Sequence, residues 1–400
     1  MIAPAPRSEP IDLSTTERAR AIIPQLSAQS QANEEAQRLT PETMQLLADA
    51  GLLGLFVPKV FGGSEVWPVE MMETIETLAY ADASTAWVVM ATLLATGSAA
   101  AYLPAPAAKH IFSERIPLMA GQGGAIGRGT VEPGGYRLNG RWSYGSGLLH
   151  SEWLHTGGAI QVDGETRRFP GTDRPDNRIF ILPIDQVELK GNWDVLGLRA
   201  TGSVDYAVTD TFVPEEFTHE FIANVPNHGG DLYRLGIIGV GIFLHGAFAI
   251  GVAKRVIEEI RQFAMSGKRS ANFIKQGGGE TFQEEFGRAV ASYHAARSGL
   301  MRFVEIAESR VSKAENLTRR ELTESVLAVV HANQAATDIA NFGYYWEGGA
   351  SLRYGVMQRL MRDITASHSH FLVSRNVQRE SAKEVLGLYD GKPWSLVGYA

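Results

Sequence analysis

The chain is expected to be mainly α with a central β-domain: an N-terminal helical domain, a β-barrel-like middle domain and a C-terminal four-helix bundle. Three observations carry this. Residues 14–115 keep helical spacing between recognisable caps, and residues 116–214 break into short alternating runs punctuated by Gly and Pro. Residues 232–388 return to four long helical periods rich in Ala. The expected domains are 1–115, 116–225 and 226–400, well within what 400 residues can bury.

Ser14-Thr15-Thr16-Glu17 reads as a capping box, and Thr40-Pro41-Glu42 as a helix start with Pro in the first turn; Gly51 stops that helix. The apolar run Leu52–Val57 ends at Pro58, and Phe61-Gly62-Gly63 is a loop before helices at Val69–Tyr80 and Ser84–Tyr102. Strands are expected at Tyr136–Trp142, Trp153–Val162, Arg178–Pro183, Val187–Lys190 and Tyr206–Val213. Pro133–Gly135 is a turn, Asn139-Gly140 a hairpin signal, and Gln161–Asn177 a solvated loop. The bundle helices are Gly236–Phe263, Glu280–Glu315, Leu322–Tyr345 and Tyr354–Glu384.

Apolar residues make up 44% and charged residues 20%, as in an ordinary globular enzyme. The net charge of −7 speaks against nucleic-acid binding, and with no cysteine there is no thiolate chemistry or disulfide. Met1–Pro10 shows no secretory leader, so the cytoplasm is the expected compartment. Ala86–Leu103 and Leu235–Ala253 approach the length of a membrane span, but their Ala and Gly suit close packing between buried helices, and no membrane partner is expected.

The most informative stretch is Arg141-Trp-Ser-Tyr-Gly-Ser-Gly-Leu-Leu-His-Ser-Glu-Trp153. Two indoles, short hydroxyls and glycines on one strand and its exit offer flat apolar walls, small donors and close backbone approach. A planar heteroaromatic cofactor with a polar rim needs those features, and a flavin is the candidate. Taken alone, Trp142 and Trp153 suit a β-core better than a cofactor contact, and His150 suits a structural role as well as an active-site one. His368 and His370, two apart, point to different sides of a helix and would not share a metal ion, so no metal is expected.

Four motifs in chain order resemble the acyl-CoA dehydrogenase fold superfamily: Trp142-Ser-Tyr-Gly-Ser-Gly147; Trp193-Asp-Val-Leu-Gly-Leu-Arg-Ala-Thr-Gly-Ser203 before a strand ending Phe212-Val213-Pro214; Gly267-Lys268-Arg269; and Arg359-Leu-Met-Arg-Asp363. Within it the chain resembles the reduced-flavin-dependent two-component monooxygenases. Their flavin strand reads Trp-x-x-x-Ser-Gly-x-x-His-x-x-Trp, here Trp142, Ser146, Gly147, His150 and Trp153, and they place a His seven residues after the Arg-Asp pair, here His370. The base of the common dehydrogenase subgroup is missing, since Ser369-His370-Phe371 stands where that subgroup carries a carboxylate and none follows until Glu380.

The resemblance implies an oxygenase component that takes reduced flavin (FADH2 or FMNH2) from a separate NAD(P)H:flavin reductase. With O2 it oxygenates a small neutral aromatic or heteroaromatic such as indole through a flavin hydroperoxide, and it assembles as a homotetramer. By resemblance, Ser146 is the hydrogen-bonding partner near flavin N5 and His370 the acid/base group; Trp142, Ser143, Gly147, Arg199, Thr201 and Ser203 contact the cofactor. Arg269 anchors phosphate, across a subunit interface. Trp87, Met90, Leu94, Phe243, Phe248 and Phe371 line the substrate pocket, and the apolar helix after Trp87 favours a neutral ring over a phenolate. An acyl-CoA dehydrogenase and a non-catalytic flavin-binding scaffold remain open as alternatives.

Overall fold

The computed structural model describes residues 13–266 and 279–389. Ser14 and Glu17 form the expected capping box on α1 (Thr15–Ala21), which leads to α2 (Ile23–Ala36). The Thr40 hydroxyl accepts the Thr43 N–H at the start of α3 (Pro41–Asp49). Three more helices complete this part: α4 (Pro68–Ala81), α5 (Ala83–Tyr102), capped by the Asp82 carboxylate, and α6 (Ala105–Phe112).

The middle of the chain is one curled sheet. Its strands are β1 (Met119–Ala120), β2 (Gly127–Glu132), β3 (Gly135–Gly145), β4 (Trp153–Val162), β5 (Glu165–Thr166), β6 (Asn177–Pro183), β7 (Glu188–Leu189), β8 (Val204–Pro214) and β9 (Thr218–Glu220). Their order is β7-β8-β3-β2-β4-β6-β9, with β1 and β5 also paired to β4. Tyr136 on β3 meets Phe180 on β6 at 5.8 Å between ring centroids although two strands separate them, so the sheet wraps around its own core.

The Pro133–Gly135 turn does join two strands, but one of them, β2, was not expected: its Gly-Arg-Gly-Thr sequence carries little strand propensity. Asn139-Gly140 is not a hairpin tip. It sits inside β3 at an irregularity against β8, where the Asn139 Oδ1 accepts the Asp210 N–H. Residues 161–177 are largely exposed, as expected of a solvated loop, and are tied down at Asp176, which is buried and pairs with both Arg167 and Arg178.

The second helical part comprises α7 (Gly236–Met265), α8 (Glu280–Val311), α9 (Arg319–Glu347), α10 (Val356–Ser367) and α11 (Arg375–Val385). The last expected helix is therefore broken in two. Ser and His side chains between the halves compete for backbone partners: His370 Nδ1 accepts the Leu372 N–H, and the Ser374 hydroxyl accepts the Val377 N–H that opens α11. α7 packs on α4 and α5 of the first part as well as on α8 and α9, so one apolar core runs through both helical parts. The two long apolar helices are core elements, with 89% and 94% of their most apolar windows buried.

At the seam of α5 with the sheet, His155 Nε2 and the Ser98 hydroxyl lie 2.8 Å apart, and His219 sits beside His155. Burial lowers the pKa of His155 to about 3 and that of His219 to about 4. Both stay neutral in the fold while the unfolded chain binds protons below about pH 6.5, so stability falls as pH drops from there towards 4. Each histidine contributes a slope of up to about 1.4 kcal/mol per pH unit. Melting temperatures between pH 7 and 4.5 should decline accordingly, and less steeply in His155→Gln.

Candidate active site

The site lies where α5, α7 and the α10–α11 break meet the end of β3. Trp87 on α5 stands at its centre, only 8% exposed. Its indole N–H donates to the Ser146 hydroxyl at 3.1 Å. Its ring meets His245, Phe248 and His370 edge-on at centroid distances of 5.3, 5.1 and 5.7 Å. One side chain thus links the exit of β3 to the bundle.

His370 stacks on His245 at 4.1 Å. The two imidazoles have complementary tautomers, fixed by their backbone partners. His370 Nδ1 accepts the Leu372 N–H, so the neutral ring carries its proton on Nε2. His245 Nδ1 donates to the Gly241 carbonyl at 2.7 Å, leaving Nε2 as a buried acceptor without a hydrogen-bond partner. Burial lowers the pKa of His245 to about 4, and burial with the neighbouring His245 pushes His370 well below its ordinary value. His245 was missed in the sequence because it lies in an apolar run. The signal was there: Gly241, His245 and Phe248 recur at helical spacing on one face of α7.

On the barrel side, Ser146 lies 2.7 Å from Ser203, Ser203 lies 2.6 Å from Thr201, and Thr201 donates to the Leu198 carbonyl at 2.8 Å. Gly147 has φ +79°, and a Cβ there would come within 2.7 Å of the Thr92 methyl, so glycine lets the strand exit close onto α5. Ser143 is half-buried beside this exit. Ala91 and Leu94, one and two turns beyond Trp87, are partly exposed in an otherwise buried helix and continue the wall; Met90 is fully enclosed in the core. Phe371 neighbours His370 and is 44% exposed, a rim position.

The segment 193–203 is held over the site from below. The Asp363 carboxylate on α10 accepts the Leu198 N–H at 2.6 Å, and Leu198 has φ +54°. A Cβ on Gly197 would fall 2.1 Å from the Arg362 carbonyl, so only glycine fits there. The Trp193 indole donates to the Arg199 carbonyl. Burial raises the pKa of Asp363 to about 7 despite the Leu198 N–H.

Besides the enclosed Met90, three more expected site residues are engaged elsewhere. Trp142 points into the β-core, its ring stacked on Tyr206 and its N–H on the Gly157 carbonyl; inward alternation on β3 takes it away from the site. Arg199 is committed to the Val195 carbonyl and to Glu34 and Asp194. Phe243, two residues from Gly241 and so on the far side of α7, joins Met71, Met72 and Leu232 around a separate small cavity. Trp153 stacks on Phe217, and His150 is half-buried, its pKa lowered to about 4 by desolvation of the ring. His368 turns to Thr337 and Asn333 on α9, away from His370. Arg269 lies outside the described residues.

Replacing Asp363 with Leu strands the buried Leu198 N–H, at an expected cost of about 1–3 kcal/mol. Hydrogen exchange at Leu198 should accelerate in Asp363→Leu and stay slow in Asp363→Asn, which keeps an acceptor.

Comparison with known proteins agrees with this architecture. Residues 15–109 match the family model "Acyl-CoA dehydrogenase, N-terminal domain" and residues 243–375 match "Acyl-CoA dehydrogenase, C-terminal domain". A pigment production hydroxylase of Rhodococcus sp. is 25% identical over 95% of this chain and 97% of its own length. The flavin-dependent monooxygenase oxygenase subunit HsaA of Mycobacterium tuberculosis is 32% identical over 50% of this chain and 48% of its own. XiaF from Streptomyces sp., solved with FADH2 and glycerol, superposes with a TM-score of 0.84 at 24% identity, covering 95% of this chain and 96% of XiaF. Two domain models of one family, in order and together spanning more than half of the sequence, with relatives named as hydroxylases and oxygenase subunits, show that the chain belongs to the acyl-CoA dehydrogenase family, in its group of flavin-dependent monooxygenase oxygenase components.

Proposed function

We propose that the chain oxygenates a small neutral aromatic or heteroaromatic such as indole, with O2 and reduced flavin delivered by a separate reductase. The observation that carries this reading is the Trp87 bridge, which brings Ser146 of the β-domain and the His370–His245 pair of the bundle to one partly closed junction. The residues fit a flavin. Ser143, Ser146 and Gly147 give a short polar edge and close backbone approach, the Thr201–Ser203 segment lies beside them, and the buried His245 Nε2 is an acceptor still to be met. The FADH2 held by XiaF on the same fold supports the choice. Arg269 remains the proposed phosphate anchor; a homotetramer and a cytoplasmic location are part of the same proposal.

Bound reduced flavin supplies two electrons, so that O2 gives one oxygen atom to the substrate ring and the other to water. The chain's own part is to keep the junction dry, to orient the ring and to control a proton. Trp87, Ala91, Leu94 and Phe248 bring no charge to the junction, which suits a neutral aromatic. His370 carries its hydrogen on Nε2 and His245 keeps Nε2 as an acceptor, so the stacked pair brings one neutral donor and one neutral acceptor to the junction. The dehydrogenase alternative lacks its base. Glu380, the first carboxylate after His370, is paired with Lys383 and Arg379 on α11, and Asp363 is spent on Leu198.

The test supplies reduced flavin, an aromatic panel including indole, and isotopically labelled O2. One labelled oxygen should appear in the product, whereas prompt peroxide release with every aromatic would overturn the reading. His370→Asn, which keeps an acceptor to cap the turn, should lower oxygenated product by about 100-fold and divert flavin oxidation to hydrogen peroxide.

A further inference from the structure

The hydroxyl chain beside Trp87 has two self-consistent arrangements of its hydrogens. Each hydroxyl has one hydrogen to give. The Trp87 indole can only donate, so one lone pair of Ser146 is always taken. In the first arrangement Thr201 donates to the Leu198 carbonyl, Ser203 to Thr201, and Ser146 to Ser203. Ser146 then offers a ligand one lone pair and no hydrogen. In the second, Thr201 donates to Ser203 and Ser203 to Ser146. Both lone pairs of Ser146 are filled, and it offers a ligand one hydrogen.

The first arrangement has one hydrogen bond more, because the second gives up the bond from the Thr201 hydroxyl to the Leu198 carbonyl; that carbonyl keeps the Thr201 N–H in either case. Thr201 and Ser203 are buried, 1% and 3% exposed, while Ser146 is only half-buried. A ligand therefore meets the chain at Ser146. Reduced flavin carries a hydrogen on N5 where oxidised flavin carries a lone pair. The resting polarity of Ser146 matches the first and opposes the second.

We propose that Thr201 and Ser203 are positioning residues that set the hydrogen-bonding polarity of Ser146 and through it the preference of the site for reduced over oxidised flavin. This rests on the reading of a flavin seated against Ser146. The preference comes from the buried end of the chain, at the Leu198 carbonyl. Thr201→Val removes both the acceptor for Ser203 and the link to that carbonyl. Ser203 then keeps its only hydrogen bond as donor by turning it to Ser146, and the polarity reverses.

The experiment is anaerobic equilibrium binding of FMN and FAD, each in both oxidation states, to the full chain and its variants. The wild-type protein should bind the reduced forms more tightly. One hydrogen bond is worth roughly a fivefold ratio, so Thr201→Val should cut the reduced-to-oxidised preference by about fivefold or more, and Thr201→Ser should restore it. The midpoint potential of the bound flavin should fall in Thr201→Val, by about 30 mV for each tenfold change in the ratio of this two-electron couple. If Thr201→Val does not fold, Ser203→Ala, which frees the Ser146 hydroxyl, should also reduce the preference. An unchanged ratio in variants that still bind flavin overturns the inference and leaves the flavin reading standing; a wild-type chain that binds neither oxidation state overturns both.

Discussion

The hydrogen bond from the Leu198 N–H to the Asp363 carboxylate joins parts of the chain 165 residues apart, and the site depends on it. It fixes a left-handed backbone turn at Leu198 that would otherwise be unfavourable for a branched side chain. The close seat of Gly197 on the Arg362 carbonyl and the bond from Arg362 to the Leu196 carbonyl hold the same turn from the other side. Because the Leu198 carbonyl ends the Thr201–Ser203–Ser146 chain, the bundle controls where the β-domain's polar edge lies. A carboxyl this deeply buried is expensive, and its pKa of about 7 records that cost.

The remainder of the junction follows from how α5 and α7 cross. Small residues on both helices let them approach closely, so that Trp87 can reach from the N-terminal part to Ser146 while its ring touches His245 and His370. Among the described residues no carboxylate holds the two imidazoles charged. Their tautomers are dictated by a helical carbonyl on one side and a turn N–H on the other, which makes one ring a donor and its neighbour an acceptor.

Local signals made much of the fold legible. Ser14, Glu17 and Thr40 announce helix starts through short-range hydrogen bonds and Pro41 through its fixed φ, and β4 spans the Trp153–Val162 run expected of it. What depended on distant partners was not legible. Trp142 looks the same in sequence whether it faces a core or a cofactor, and its side was decided by Tyr206 across the sheet. Phe243 was assigned by residue type alone, while two positions along a helix separate opposite faces. The break after α10 hides in a helical period because its cause is side-chain capping by His370 and Ser374, not a glycine or proline. His370 is marked by its spacing from Asp363, whereas His245 has no motif around it and shows itself only through the face it shares with Gly241 and Phe248.

That break gives residue 370 two duties that compete. The nitrogen fastening the turn by accepting from Leu372 is the same nitrogen that must take any incoming proton, since the other already bears one. An imidazolium at this position cannot accept from Leu372, so charging the ring costs the turn between α10 and α11 its side-chain cap and leaves its backbone hydrogen bonds to hold it.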